Sequence, residues 1–137
     1  IAWENEAFLS MQEEPGEYEI VVPSASVLCQ PTVAVVDEVV DRRGSRAVAE
    51  KYLNYLYSDE AQKLAGENYY RPADQDIAKQ FYTEEGTHEI TEVPSDGKWM
   101  VTDVAMADIS HFGGWDAVIE KHFSDGGIFD TIYERNR

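Results

Sequence analysis

Cysteine is nearly absent from this sequence, since Cys29 is the only one among 137 residues. A single thiol cannot form a disulfide within the chain, and it cannot supply the cysteine pairs of a structural zinc site. It lies in the apolar run "SVLCQ", which predicts a buried, unreactive side chain. The chain also lacks any apolar run near the roughly 20 residues of a membrane-spanning helix, so no such helix is predicted.

Basic residues are scarce as well. The sequence has 11 Lys and Arg residues against 27 Asp and Glu residues, which gives a formal net charge of -16. Nucleic acid and anionic lipid would be repelled, so neither is predicted as a partner. A small anion is not excluded, because local hydrogen-bond donors rather than total charge decide whether it binds.

Motifs of nucleotide, metal and covalent-catalytic sites are missing from the sequence. There is no Gly-x-Gly-x-x-Gly loop, no P-loop, no His-Glu-x-x-His and no Gly-x-Ser-x-Gly. His111 and His122 are too far apart for a short ligand spacing, and His88 lies in a polar turn. No metal site and no cofactor are therefore predicted. Gly113-Gly114 and Gly126-Gly127 border predicted helices and are interpreted as caps and turns.

Carboxylates are abundant but not arranged for acid–base catalysis. Glu4 and Glu6 are two residues apart, which places them on different faces of a helix. Four other acids are interpreted as caps and surface groups: Asp37, Asp41, Asp125 and Asp130. The sequence predicts no catalytic residue and no enzyme.

Apolar spacing predicts several helices. The segment 4–14 places Ala7, Phe8 and Met11 on one face. The strongest pattern is 44–58, with Ser45 as N-cap. Its apolar face comprises Ala49, Tyr52, Leu53 and Leu56. Further helices are expected at 59–68, with Ser58 as N-cap, and at 76–82, 113–123 and 128–136.

Strands are predicted from β-branched content. Segment 18–24 is a strand stopped at its proline, and 32–37, "TVAVVD", is expected to be a buried strand. Segments 88–93 and 98–105 are expected to be strands on either side of the turn 94–97. Strands and helices without strict alternation indicate an α/β chain or a piece of one. The opening "IAW" resembles the end of a strand, and no targeting peptide is visible, which predicts a fragment.

Several stretches together resemble the periplasmic sulfate-binding proteins of ABC transporters, including the thiosulfate-binding branch. They are "AWENEAFL" at 2–9, "YEIVVPSASVL" at 18–28, the long block 31–72, and "HFGGWDAVIEKHFSDGGIFDTIY" at 111–133. The join before the last block is longer and more acidic here than in that family. The resemblance covers only the C-terminal part of a two-lobe protein about twice this length.

The resemblance implies the fold and the domain layout. The chain would be the C-terminal part of a type II periplasmic binding protein, an α/β fold with a mixed sheet flanked by helices. Residues 1–137 would form one domain of the two-lobe protein. Residues 1–30 would include strands that cross between the lobes, and 31–137 would belong mostly to one lobe.

The resemblance also implies the function. The intact protein would capture sulfate or thiosulfate between its lobes, outside the cytoplasm in the periplasm or tethered to the membrane, and deliver it to the ABC transporter permease. The missing N-terminal lobe would be a partner of this chain. Trp3 occupies the position where the family supplies an indole N–H to sulfate. Ser24 and Ser26 lie in the returning crossover strand, but no contact is assigned to them.

Other interpretations remain open from the sequence. The ligand could be molybdate, phosphate or an organic acid. An enzyme built on Glu4 and Glu6 is a second alternative. A third is a lobe fragment that only associates with itself through an unpaired strand edge.

Overall fold

The structure is a computed structural model that describes residues 1–134. The chain forms two compact units. The first unit consists of Ile1–Pro23 and Pro31–Val104. The second consists of Ser24–Gln30 and Ala105–Arg137, of which the structure describes the part up to Glu134.

Helices and strands alternate irregularly along the chain, as the sequence predicts for an α/β composition. The strands are short, and the helices carry most of the regular structure. In chain order the elements are α1 (Glu4–Glu13), β1 (Ile20–Val21), β2 (Ala25–Val27), α2 (Asp37–Arg43), α3 (Arg46–Tyr55), α4 (Asp59–Glu67), α5 (Gln75–Ala78), β3 (Glu89–Ile90), β4 (Ala105–Ala107), α6 (Gly114–Val118) and α7 (Ile128–Glu134). Two 3-10 turns, Lys79–Phe81 and Ile109–Phe112, and a π turn, Ile119–Phe123, adjoin these helices.

The strands do not form the single mixed sheet that was expected. In the first unit β1 and β3 pair antiparallel, and in the second β2 and β4 pair parallel. Each pair is a separate two-stranded ladder among the described residues. Mixed helix and strand content is therefore confirmed, while a mixed sheet flanked by helices is not what this part of the chain forms. Ladders this small need packing against helices for stability.

The core of the first unit is an aromatic cluster. Trp99 is 1% exposed and donates its indole N–H to the Gly66 carbonyl at 2.8 Å. Its ring packs edge-on against Phe8, with 5.5 Å between the ring centroids, and the centroid of the Phe81 ring lies 6.5 Å away. Tyr69 stacks on Phe8 with 4.7 Å between ring centroids. The cluster joins α1, α4 and the segment before β4, which are distant in sequence.

The structure confirms the predicted buried face of α1 and one of the two predicted N-caps. Phe8 and Met11 of α1 are buried as expected. The Ser58 hydroxyl accepts a hydrogen bond from the Ala61 amide at 3.3 Å, which confirms its role as the N-cap of α4. Ser45 stands at the N-cap of α3 but makes no side-chain capping bond.

The apolar face predicted for 44–58 is not buried in this structure. Helix α3 has no buried residue, and Tyr52 is exposed. Periodicity identifies an apolar stripe, but only a packing partner removes that stripe from water. No other described element of the first unit covers α3 to that extent.

The prediction of a buried strand at 32–37 was wrong. Segment 32–37 forms no strand, and Val33 and Val36 are exposed. β-Branched residues favour a strand only where another strand supplies hydrogen bonds, and none of the described residues pairs with this segment. The strand predicted at 88–93 is confirmed in part by β3, whereas 98–105 contributes only Ala105 to a strand. The predicted turn between them exists, with the Gly97 amide bonded to the Pro94 carbonyl at 3.2 Å, but the two segments do not pair with each other. Instead β3 pairs with β1, and Met100 forms an isolated bridge with Tyr82.

The second unit buries little of its own surface. None of its described residues falls in the buried class, and Cys29 is exposed rather than buried as predicted. This thiol lies just beyond β2, which has a partner strand on one side and no covering element, so apolar neighbours in sequence do not enclose it.

The closing helices match their predicted positions with one change. The helix predicted at 113–123 is α6 followed by the π turn, and α7 begins at Ile128 as expected. Residues 135 and 136 of the predicted last helix lie outside the described residues. In the part of the chain from 1 to 134, no helix is both long and apolar enough to cross a membrane.

Candidate functional site

Trp3 stands immediately before α1, in the position of its N-cap. Its backbone is extended, with φ -65° and ψ 146°, and its carbonyl accepts the Ala7 amide at 3.0 Å. The side chain is 62% exposed. No described residue accepts a hydrogen bond from the indole N–H. This donor is therefore available to a ligand.

The first turn of α1 adds backbone donors beside this indole. The first amides of a helix have no partner within the helix, and Trp3 provides no side-chain cap for them. The helix has ten residues, so its dipole places partial positive charge at this end. Backbone amides and an indole N–H are neutral donors of the kind that hold a fully ionised oxyanion.

Glu4 is held in an ion pair directly after Trp3. Arg71 Nε and Nη2 donate to its two carboxylate oxygens at 2.7 and 2.9 Å. Arg71 Nη2 also donates to the Val101 carbonyl at 2.9 Å. The two side chains are only 28% and 24% exposed. The pair neutralises one acid next to Trp3 and fixes the start of α1 on the first unit.

Glu6 is the remaining acid of this turn. It accepts a hydrogen bond from Asn5 Nδ2 at 3.2 Å, and Asn5 in turn bonds the Tyr70 hydroxyl at 3.2 Å. Glu4 and Glu6 are thus engaged separately, one by a guanidinium and one by an amide. The structure does not bring them together as a pair of catalytic carboxylates.

Ser24 and Ser26 belong to the second unit, whereas Trp3 belongs to the first. Both serines are exposed, and neither hydroxyl bonds another described residue. The Ser24 carbonyl accepts the Ala105 amide at 2.8 Å, beside the ladder of β2 and β4.

Both diglycines occupy turns, as predicted. Gly113 has φ +88° and ends the 3-10 turn, and Gly114 opens α6. Gly126 has φ +77°, and its amide donates to Asp130 Oδ2 at 2.9 Å, which closes the turn into α7. A positive φ is costly for other residues, so glycine is required at these turns. These bonds explain the glycines without any ligand.

Two of the three histidines, His88 and His111, are paired with acids. His111 Nδ1 lies 2.9 Å from Asp108 Oδ1, and hydrogen bonds from Ser110 and His111 lower the pKa of Asp108 to about 2. His88 Nε2 lies 2.9 Å from Asp103 Oδ2. Within residues 1–134 no group of three or more His, Cys, Asp or Glu side chains could hold a metal ion.

A shallow depression lies in the acidic join that departs from the family pattern. Its volume is about 380 Å³. Its lining alternates threonines with acids and includes Thr83, Thr87, Glu84, Glu89 and Asp96. The acids would repel sulfate, so this depression is not an anion site.

Sequence reasoning missed Arg71 as part of the Trp3 region. The only signal was a lone basic residue between Lys63 and Lys79, followed by Pro72. Its partner Glu4 lies 67 positions earlier in the chain, and no local pattern encodes a contact over that distance.

Comparison with known proteins gives clear relatives. No protein-family model matches the chain. The sulfate-binding protein of Escherichia coli (strain K12) is 42% identical over 136 residues, which cover 98% of this chain and 37% of that protein. The thiosulfate-binding protein of Pseudomonas aeruginosa is 40% identical over 137 residues, which cover 99% of this chain and 37% of that protein. Both relatives are named as binding proteins, not as enzymes.

A shorter match concerns a Cucumis sativus protein named as a sulfate/thiosulfate import ATP-binding protein. It is 34% identical over 80 residues, which cover 58% of this chain and 19% of that protein. The chain has no P-loop, so this match carries no argument for ATP binding here.

The chain spans 37% of the length of the first two relatives. This share is compatible with the C-terminal portion implied by the resemblance. Over nearly its whole length, this chain is homologous to sulfate- and thiosulfate-binding proteins, and the resemblance predicted from its sequence is confirmed.

Proposed function

We propose that this chain is the C-terminal portion of a type II solute-binding protein that captures sulfate or thiosulfate for an ABC transporter. The parent protein would work outside the cytoplasm, in the periplasm or tethered to the membrane, and would deliver the anion to the permease. Residues 1–30 would include the strands that cross between lobes, and 31–137 would lie mostly in one lobe. The names and identities of the relatives support this proposal.

The observation that carries the proposal is the Trp3 indole, exposed and without a partner at the start of α1. Buried or half-buried tryptophans normally find an acceptor for the indole N–H, as Trp99 does. An exposed donor beside the first amides of a helix suits an oxyanion. We therefore assign Trp3 as a ligand residue of the intact protein.

Neutral donors would also explain the choice of anion. A fully ionised sulfate has only acceptors to satisfy, whereas a protonated phosphate brings a donor that needs an acceptor of its own. A site made only of donors leaves that proton unpaired, which costs affinity. Molybdate is a fully ionised dianion as well, so the size of the cleft must distinguish it. Competition of phosphate and molybdate against sulfate tests these alternatives.

The large negative charge is compatible with this function but should affect its rate. A net charge of -16 repels a dianion at long range. The ion pair of Glu4 with Arg71 removes one of those charges next to Trp3. We expect added neutral salt to speed sulfate capture, because screening weakens the repulsion.

Replacing Trp3 by phenylalanine in the parent protein, the longer protein of which this chain is a portion, is expected to weaken sulfate binding about tenfold or more. Phenylalanine keeps an aromatic ring but has no N–H, and a hydrogen bond to a charged group contributes about 1.5–3 kcal/mol. The measurement is calorimetric titration with sulfate.

The matched control is Trp115→Phe, since Trp115 is also exposed but lies in α6 of the second unit. We expect the Trp115→Phe variant to bind sulfate with the same affinity as the unchanged protein. Equal sulfate affinity for Trp3→Phe and the unchanged protein would remove Trp3 from the site. No sulfate binding by the unchanged longer protein would refute the proposed function itself.

The second unit supports the part of the proposal that concerns a missing lobe. Trp115, Ile119 and Phe123 follow one face of α6 and the π turn, and all are exposed. The ring centroids of Phe123 and Phe129 are 5.9 Å apart, and those of Phe129 and Tyr133 are 4.9 Å apart. The row of exposed apolar side chains therefore extends along α7. Exposed apolar rings in contact with one another are typical of an interaction site. Because 63% of the length of the first relatives lies outside the match, we infer that the occupant is the remaining portion of the parent protein.

A charge placed on this surface should affect the longer protein far more than the isolated chain. Phe129→Glu is expected to lower the free energy of unfolding of the longer protein by about 3 kcal/mol, because the ring would be buried there. In the isolated 137-residue chain the ring is 48% exposed, and the change should be small. Chemical denaturation of both proteins measures the difference.

Two outcomes would contradict this assignment of the surface. One is an equally small effect of Phe129→Glu in both proteins. The other is a stable dimer of the isolated chain that Phe129→Glu dissociates, as seen by light scattering, which would make a second copy the occupant.

A further inference from the structure

The chain crosses between its two units three times, and His88 lies beside two of the crossings. One crossing is the bond from Pro23 to Ser24, and another is the bond from Val104 to Ala105. His88 contacts Val22 and Asp103, each one residue before the last residue of the first unit at its crossing.

The contacts of His88 use both nitrogens of its ring. Nδ1 lies 3.0 Å from the Val22 carbonyl oxygen, and Nε2 lies 2.9 Å from Asp103 Oδ2. The Val22 amide also donates to the His88 carbonyl at 2.8 Å. One side chain thus bridges the two segments that lead to the crossings.

The chemistry of these partners determines the protonation state of the ring. A carbonyl oxygen and a carboxylate only accept hydrogen bonds, so each ring nitrogen needs a proton to satisfy its contact. A neutral imidazole carries one proton and must lose one of the two bonds. The geometry therefore favours the imidazolium.

The charges around the imidazole act in the same direction. The acid in contact with the ring is Asp103, and Glu89, the next residue in the chain, stands opposite Val21 in the ladder. The base on the neighbouring segment is Arg71, and its charge is paired with Glu4. The hydrogen bond that His88 donates to Asp103, and then the one to the Val22 carbonyl, raise the pKa of the His88 ring, and the bond with His88 lowers the pKa of the Asp103 carboxyl.

We propose that His88 is a proton-dependent clasp that joins the two crossing segments at the end of the first unit. With the imidazolium in place, both segments are held through one residue. When the proton leaves, one of the two bonds is lost, and the segments are tied only by their backbone bonds.

The direction of the pH effect follows from the raised pKa. Below the ordinary histidine pKa of about 6.5 the ring is protonated in both folded and unfolded chains, and the clasp contributes fully. The contribution is lost as pH rises through the higher pKa of the folded state. A second loss occurs at low pH, when Asp103 takes up its proton.

The clasp depends only on contacts within this chain. Its effect on lobe closure depends on the proposed function, since hinge motion would pass through the crossing segments. Loss of the clasp should then make the lobes easier to open at alkaline pH. Failure of sulfate binding in the parent would leave the clasp itself untouched.

The experiment follows His88 by NMR and the crossings by amide hydrogen exchange, both as functions of pH. The reporters are the Val22 amide and the Ala105 amide, which bonds Ser24 on the far side of the crossings. We expect His88 to titrate above 6.5. Protection of both amides should fall severalfold through that transition, after correction for the intrinsic pH dependence of exchange.

Three variants complete the test. His88→Gln should abolish the pH-dependent step in protection, and Asp103→Asn should move the titration of His88 towards 6.5. His122→Gln, which removes an imidazole outside the crossings, should change neither. The proposal would be overturned if His88 titrated at about 6.5, the ordinary histidine value. It would also be overturned if the exchange protection of the two amides did not change as His88 loses its proton.

Discussion

Gly66→Ala is expected to lower the free energy of unfolding by about 3 kcal/mol. A Cβ at this position would lie 2.1 Å from Phe81 Cε2 and 2.3 Å from Cζ. Phe81 is itself buried and packs near Trp99, so its ring cannot move aside freely. Helix propensity alone predicts the opposite sign, because alanine inside a helix is about 1 kcal/mol better than glycine. The sign of the change in a urea denaturation series decides which effect wins.

The control for Gly66→Ala is the same change combined with Phe81→Leu. A smaller side chain at position 81 should remove part of the clash. The double variant should therefore lose less free energy of unfolding than the two single variants lose in sum. Additive losses, or a stabilised Gly66→Ala variant, would show that the ring and the glycine are not in close contact.

Trp99→Ala is expected to lower the free energy of unfolding by about 3–5 kcal/mol, the range for removal of a large buried aromatic. Trp99 is 1% exposed and touches rings from both α1 and the turn after α5. Its removal would open a cavity where these elements meet. Thermal and chemical denaturation measure the loss.

Two variants separate the causes of this effect. Trp99→Phe keeps most of the ring but removes the indole N–H, while the Gly66 carbonyl still accepts the Tyr69 amide at 3.1 Å, so the lost hydrogen bond should cost about 0.5–1.5 kcal/mol. Trp115→Ala removes an indole that is 65% exposed and should change stability little in the isolated chain. Equal losses at 99 and 115 would contradict the position of Trp99 in the core.

Much of the candidate site was visible in local sequence. The stretch "AWENEAFL" predicted both a helix with Phe8 on its buried face and a tryptophan at the helix start, and the structure has both. The N-cap at Ser58 and the turns at the diglycines were predicted for the same reason. Each depends on residues within one or two turns of chain, where side-chain chemistry limits the backbone directly.

Predictions that needed a distant partner were less successful. Val33 and Val36 have strand-forming side chains, yet no described strand pairs with them. Cys29 has apolar neighbours in sequence but is exposed in space. The predicted strands on either side of the turn 94–97 do not pair with each other, because β3 pairs with β1, about 70 residues earlier. Strand pairing and burial depend on what arrives from elsewhere in the chain.

The sequence by itself determined the family resemblance, the acidic charge and the position of Trp3 directly before α1, because short-range chemistry and residue identity are sufficient for these. Only the tertiary structure decided that Arg71 pairs with Glu4 beside Trp3 and that Trp99 closes the core on Gly66. It alone also placed His88 between Val22 and Asp103. These contacts join residues 15 to 67 positions apart, and such distances are closed by packing of the whole unit rather than by any local pattern.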